Sequence, residues 1–326
     1  MNHRQNPIVI VCSADGPYAR PLAVTLVSLV AHLDRGRPLA IHIIDRGIPE
    51  ADKGLLVRSL GGGAVTVSWH HPDRRALVGV PLWGRMPISV YDKLLIVGLL
   101  SPDIEQALWL DSDTLVLDDV APLWDRGTGD HPVLAVQDSI VPLVSSRLGV
   151  ARYRELGLRP DAKYFNAGVM MMNVGRWRRQ QVTERALEYL KTYAAEVSFW
   201  DQEGLNAVLS GDWGELDPVW NWTASVGRVD DVRHTNAAAK IVHFNGNLKP
   251  WRYDGRQMYY RRYYEHVDAT ELAGWRPQPS WRAAAMRLYE RSALRRVLYP
   301  TEHLGTSLVM ALTRRVATAD DVRSSP

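Results

Sequence analysis

The stretch ALWLDSDTLVLDDV, residues 107–120, sets an Asp-x-Asp at the end of a short apolar run and a second acidic pair just beyond it. A brief apolar run closed by polar residues reads as a buried strand followed by a turn. Asp111 and Asp113 therefore stand at the carboxyl end of a strand, whereas Asp118 and Asp119 fall in a solvated turn that opens the next element. Upstream, PIVIVCSAD (7–15) reads as a buried strand ending in turn residues, and Pro21 fits the first turn of a helix with Leu22, Leu26, Leu29 and Val30 on one face. LAIHIID (39–45) and AVTVSWH (64–70) read as further strands, and PEADKGLLVRSL (49–60) and ISVYDKLLIVGLL (88–100) as helices. Such alternation predicts a mostly parallel sheet with helices on both faces, whose ligands bind beyond the carboxyl ends of the strands. Asp15, Asp45, His70, His71, Asp111 and Asp113 all fall there.

Past residue 120 the pattern changes. VLAVQD (133–138) and FNAGVMMMN (165–173) read as strands, helices follow near 180–193 and 201–209, and KIVHF (240–244) is a late strand. From Tyr259 onward the chain is rich in Arg, Trp and Tyr, which divides it into a main α/β domain, 1–258, and a helical C-terminal appendage, 259–326.

With 326 residues and 46% hydrophobic content the chain can bury a full core. A formal net charge of only +3 gives no field directed at nucleic acid, so none is expected as a partner. The single Cys12 excludes an internal disulfide and any metal site built on cysteine, and its apolar surroundings suggest a core thiol in a reducing compartment. Asp15 and Pro17 interrupt the first apolar run early, and no run reaches the roughly 18 apolar residues of a membrane span. A cytoplasmic protein is expected.

Two chemistries use an Asp-x-Asp at a strand end. In sugar-nucleotide glycosyltransferases the pair turns toward a divalent cation, which bridges the two phosphates of a nucleoside diphosphate and offsets the charge that grows as it leaves. In haloacid-dehalogenase-like phosphatases the first Asp is the nucleophile. DSDTLV also matches their Asp-x-Asp-x-Thr-Leu/Val signature, GDWGELD (211–217) resembles their later acidic motif, and Lys191 could stabilise charge. A turn cap without chemistry is the third reading. In the phosphatases, however, the signature normally closes the first strand, and here three strand-helix units precede it.

CSADGPYARPLAVTLVSL (12–29), IHIIDRGI (41–48), YDKLLI (91–96), LWLDSDTLVLDDVAPLW (108–124), YFNAGVMMMNVGRWR (164–178), WDQEGLNAVL (200–209) and IVHFNGNLKPW (241–251) occur in this order. Together they make residues 7–252 resemble glycosyltransferase family 8, the retaining GT-A-fold transferases that include bacterial lipooligosaccharide galactosyl- and glucosyltransferases. The resemblance implies transfer of galactose or glucose from a UDP-sugar to a saccharide or lipid-linked glycan. It makes Asp111, Asp113 and His243 the metal ligands, and the imidazole favours Mn²⁺ over Mg²⁺. Ala14, Asp15, Tyr18 and Ser112 would meet the nucleoside, and Gly246 and Lys249 the diphosphate. Asp138, Asn166, Ala167, Gly168, Asp201 and Gln202 would line the donor-sugar pocket. The Gln202 amide oxygen would lie behind the anomeric carbon. An amide with no base beside it is a poor nucleophile, which favours same-face substitution with Gln202 and Asp201 as electrostatic stabilisers. The alternative role for Asp201 is the cap of helix 202–209, and the two roles can coexist. Two departures stand out: Gly16 and Pro17 replace an acidic and a polar residue, and Lys93 stands where bacterial members carry Arg, keeping the charge but losing bidentate geometry.

PDRRALVGVPLWGRMP (72–87) suits either a lid over the donor or a long connection, and Trp220 and Trp222 either stack on an acceptor sugar or pack. The tail RRYYEHVDATELAGWRPQPSWRAAAMRLYERSALRRV (261–297) suits peripheral contact with an anionic membrane at its inner face, or a packed or dimerising appendage. Removing the residues after about 260 is expected to abolish co-sedimentation with anionic liposomes; unchanged lipid binding ends the membrane reading.

Overall fold

The computed structural model describes residues 6–34, 36–83, 86–223, 239–246, 249–251, 259–276 and 315–317. The chain begins with β1 (Ile8–Ala14), α1 (Gly16–His32), β2 (Leu39–Asp45), α2 (Glu50–Ser59) and β3 (Val65–His70). A two-residue strand, β4 (Pro81–Leu82), and a short helix, α3 (Asp92–Leu95), lead to β5 (Gln106–Leu110) and β6 (Thr114–Val116). Then come α4 (Ala121–Arg126), β7 (Val133–Gln137), β8 (Phe165–Asn173), α5 (Val174–Arg179), α6 (Val182–Thr192) and α7 (Trp200–Leu209). The last described elements are β9 (Gly214–Glu215), β10 (Trp222–Thr223), β11 (Ile241–His243), α8 (Tyr260–Val267) and β12 (Arg315–Val316).

Seven strands form one sheet in the order β3-β2-β1-β5-β8-β7-β9. The first four are parallel, as expected, but β8 runs antiparallel to both β5 and β7. Alternation along β1 divides the core: Val9 and Val11 join α3, α5, α6 and α7 on one face, while Ile8, Ile10 and Cys12 join α1, α2 and α4 on the other. Cys12 is the expected core thiol, and burial pushes its pKa up. A second sheet, β10-β11-β6, carries a third cluster in which Leu115, Val242 and Phe244 pack against Tyr263, Tyr264 and Val267 of α8.

Asp15 caps α1 by accepting from Tyr18 N at 2.9 Å. Pro17, not Pro21, occupies the first turn; Pro21 is interior to the helix because α1 starts one turn earlier than the sequence suggests. The expected helix 88–100 is broken into a 3₁₀ turn Ile88–Tyr91, α3 and a second 3₁₀ turn Ile96–Gly98. Both Asp92 and Lys93 are buried within it and tied to other elements, so the segment follows those polar partners and not a helical repeat.

In the 72–87 span, Asp73 caps a 3₁₀ turn, Arg74–Leu77, and β4 pairs antiparallel with β12. Beyond it Trp83 stacks on Trp200 at 4.0 Å. The run 277–297 of the tail lies outside the described residues. Among the described ones no helix is long and apolar enough to cross a membrane. A lipid-binding deletion is better started after Arg276, because α8 contributes to the third cluster.

Arg46, just past β2, donates from Nε to both oxygens of Asp92 at 2.8 Å, Ser13 Oγ donates to the same carboxylate at 2.5 Å, and both members of the ion pair are fully buried. Removing one partner strands a buried charge. Arg46→Met is expected to cost about 3–5 kcal/mol in urea unfolding, and the joint Arg46→Met, Asp92→Leu replacement to recover most of it.

Candidate active site

The chain leaves the main sheet after Leu110 through a turn in which Thr114 N and Oγ1 both bond Asp111 O, at 3.2 and 2.9 Å. Thr25 of α1 fastens the turn from beneath, its hydroxyl 2.7 Å from Thr114 O. Residues two apart share one face of a strand, and the turn here carries Asp111 and Asp113 out of the main sheet to the point where His243 arrives. β6 then pairs antiparallel with β11, with His243 opposite Thr114. That register delivers the imidazole: His243 Nε2 lies 3.3 Å from Asp113 and 3.9 Å from Asp111. One ligand atom from each of Asp111, Asp113 and His243 falls within 4.8 Å of the others.

Two carboxylates and an imidazole are a donor set suited to a divalent cation such as Mn²⁺. The backbone keeps room for it. A Cβ at residue 168 would lie 2.2 Å from His243 Cε1, so only glycine lets β8 pass beside the ring. Two lysines balance the carboxylates. Lys249 Nζ contacts Asp113 directly and Phe244 O at 2.6 Å, while Lys93 Nζ lies 3.2 Å from Asp111, 3.0 Å from Asp201 and 3.1 Å from Ala167 O. Burial alone would raise the Asp113 pKa, but Lys249 and His243 outweigh it and hold the carboxyl well below the usual range. At Asp201 burial prevails over Lys93, with Asp111 adding repulsion, and the pKa is pushed up to about 6. Lys93 is pushed upward because its carboxylates overcome burial.

Asp201 lies inside the first turn of α7 and makes no cap; it is drawn to Lys93 instead. The capping is done by Glu203, whose Oε2 accepts from Ser198 N at 2.5 Å and Phe199 N at 3.2 Å. The sequence reading missed Glu203, Asn206 and Asn221. Asn206 clasps Phe165 at the start of β8 through both its N–H and its C=O, at 2.8 and 2.9 Å. Asn221 Oδ1 lies 3.1 Å from His243 Nδ1. Its only sequence signal was its place between two tryptophans, which drew the eye first. Those two pack: Lys240 lies over the Trp220 ring at 4.8 Å, and Trp222 meets Tyr259 edge-on at 5.3 Å.

The remaining residues fall around this centre. Ala14 ends β1, Asp15 begins α1, and Ser112 Oγ donates to Ser13 O. Tyr18 meets Trp251 edge-on at 5.7 Å, and Trp251 lies beside Lys249. Gly246 has φ +70°, the left-handed region that favours glycine, just before Lys249. Asp138, Asn166, Ala167 and Gln202 share one hydrogen-bonded group. Asp45, His70 and His71 are not brought there. Asp45 accepts from Gly47 N, Ile48 N and Lys53, and His70 stacks on His42. Asp118 pairs with Lys240 at 2.7 Å and Asp119 caps Ala121 N, which leaves both in the expected turn. Nor is the phosphatase set assembled: Asp212 accepts from Gln180 and Asp217 from Val219 N, whereas the Asp111 carboxylate meets Lys93, Trp109 and His243.

A mixed sheet with this acidic turn at its centre is the architecture of a nucleotide-sugar transferase. A family model described as Glycosyl transferase family 8 matches residues 9–255, and the chain belongs to that family. General stress protein A of Bacillus subtilis (strain 168) is 28% identical over 276 residues, spanning 80% of this chain and 93% of that protein. Crystal structures of the galactosyltransferase LgtC are also similar. An active-site mutant gives a TM-score of 0.69 at 26% identity, and a complex with donor and acceptor sugar analogues 0.67 at 27%; each covers 85% of this chain and 99% of that one. The fold is GT-A-like and the protein is a glycosyltransferase, which removes the phosphatase reading.

Gly168→Ala is expected to displace the His243 ring and to weaken Mn²⁺ binding in the presence of UDP by at least about 10-fold, read by titration calorimetry. Unchanged affinity would mean that the ring position does not matter to the metal.

Proposed function

We propose that the protein is a retaining, metal-dependent hexosyltransferase that moves galactose or glucose from a UDP-sugar to a saccharide or lipid-linked glycan. The observation that carries this reading is the convergence of Asp111, Asp113 and His243 on one point between Lys93 and Lys249. A divalent cation held there, Mn²⁺ in preference to Mg²⁺, supplies charge neutralisation for the departing diphosphate.

The chain's own residues do the rest. Lys249 Nζ contacts Asp113, so a cation held by that carboxylate would leave the ammonium available to a phosphate, and the turn at Gly246 allows the backbone close approach. Ala14, Asp15, Tyr18 and Ser112 form the nucleoside side. Lys93 and Asp201, bound to each other, meet the sugar together with Asn166, Ala167 and Gly168. Gln202 accepts from Ala167 N at 3.1 Å, which fixes its amide plane beside the sugar pocket. The one carboxylate bonded to Gln202 among the described residues, Asp138, accepts from its NH₂, and the amide oxygen accepts from Ala167 N, so no base activates that oxygen; this supports same-face substitution with a diphosphate oxygen accepting the acceptor's proton. We assign catalysis to residues 1–258 in the cytoplasm and peripheral membrane contact at its inner face to 259–326.

The test is a panel of UDP-sugars with Mn²⁺, followed for slow donor hydrolysis. One UDP-hexose should be hydrolysed by the native protein, and Asp113→Asn should lower that rate by roughly 100-fold or more. If no donor is cleaved, or the variant keeps pace with the native protein, the proposal fails.

A further inference from the structure

We infer that Asp138, Asn166 and Asn221 form a relay of hydrogen-bond polarity that fixes a proton on Nδ1 of His243 and so keeps Nε2 for the metal carboxylates' side, and that the same Asp138 orients Gln202. The inference rests on the metal-centre reading above. Asp138 is buried, and its carboxylate takes four donors: Oδ1 accepts from Ile140 N and Val141 N, each at 2.8 Å, and Oδ2 accepts from Asn166 Nδ2 at 2.9 Å and Gln202 Nε2 at 3.1 Å. An ionised carboxylate has about four acceptor sites and no donor, so these bonds use it up. That makes Asp138 a positioning residue more than a partner for a sugar hydroxyl.

The direction of every amide follows. Asn166 and Gln202 must turn their NH₂ groups to Asp138, and their oxygens then meet backbone groups that can only donate, Gly168 N at 3.0 Å and Ala167 N at 3.1 Å. Both ends agree, so neither amide can be flipped without loss. Asn166 Oδ1 also accepts from Asn221 Nδ2 at 2.8 Å. Asn221 has therefore only its oxygen to offer His243 Nδ1, 3.1 Å away, and the ring satisfies that oxygen only with a proton on Nδ1. Nε2 is then the nitrogen that faces Asp113 and Asp111, where a cation would take the place of a proton. His243, Asn221, Asn166 and Asp138 are all buried, so water does not compete for these bonds.

Asp138→Asn tests this, although it touches no metal ligand. The new oxygen stays with Ile140 and Val141, and its NH₂ confronts the NH₂ groups of Asn166 and Gln202. Relief requires Asn166 and then Asn221 to turn over, which presents a donor to His243 Nδ1 and drives the proton to Nε2. The measurement is long-range ¹H–¹⁵N correlation of the His243 ring in metal-free protein, beside Mn²⁺ affinity in the presence of UDP. The native ring should be protonated at Nδ1. Asp138→Asn and Asn221→Leu should lose that tautomer and bind Mn²⁺ roughly 10- to 100-fold more weakly. Asn221→Asp keeps an acceptor for Nδ1 and should retain the native tautomer, so the relay stays testable if Asp138→Asn fails to fold. A native Nε2–H tautomer, or a tautomer untouched by Asn221→Leu, overturns the relay. A native Nδ1–H ring that binds no Mn²⁺ upholds the relay and overturns the metal-dependent reading instead.

Discussion

The backbone of β8 passes the His243 ring so closely that residue 168 can carry no side chain. This contact joins the two sheets, because β8 belongs to the large one and His243 to the small one. It depends on β8 running against its neighbours. Parallel strands bring only their carboxyl ends to a ligand, whereas a reversed strand brings its beginning to the same edge. The beginning of β8 is Phe165-Asn166-Ala167-Gly168, and its free N–H groups orient Gln202 and Asn166 where β1 and β5 deliver Ala14 and Asp111. The break in register between β7 and β8 at Ala135/Val136 falls beside this stretch, so the N–H groups of Ala167 and Gly168 are left to side-chain acceptors.

Charge sets the second condition. Asp111, Asp113 and Asp201 face Lys93 and Lys249, three carboxylates against two ammonium groups. Burying such a group gains little stability, since desolvation offsets most of the attraction. What it gives is a centre whose charge turns positive when a divalent cation enters, which is the sign a diphosphate needs. The raised pKa of Asp201 and the depressed pKa of Asp113 show that the two lysines do not divide their effect evenly. Asp113, between Lys249 and His243, is held ionised, and Asp201 stands nearer to neutrality.

Much of this was legible in the sequence. The strand-helix unit that opens the chain, the turn carrying Asp111 and Asp113, and the grouping of those carboxylates with His243 all follow from residue types whose signals are local or belong to ordered motifs, whereas the cap at Asp15 was missed because Pro21 reads as the first turn. The direction of β8 was not legible, because side chains alternate with a period of two whether a strand is parallel or reversed. The segment 88–100 misled for a related reason: it is apolar on all sides, so its spacing resembles a helix although Asp92 and Lys93 hold it in short turns. The pairing of Pro81–Leu82 with Arg315–Val316 joins segments too short and too distant to announce each other. Asp201 looked like a cap because it begins a helical run; only the position of Lys93 shows why the task passes to Glu203.

Asn206 and Asn221 were missed for a physical reason. Asn and Gln carry no charge, follow no periodicity and take their meaning from what lies at each end. That neutrality is what suits them to the space between Asp138 and His243. A carboxylate in place of Asn221 or Asn166 would add a buried charge beside a centre whose balance decides its affinity for a cation. An apolar residue would leave the ring nitrogen, or the Gly168 N–H, without a partner. An amide accepts at one end and donates at the other, so it passes on the fixed polarity of Asp138 without altering net charge. With two amides in series, the acceptor-only carboxylate at one end requires a donor nitrogen at the other. On the proposed relay, the proton of the His243 ring is thus placed by a group it never touches.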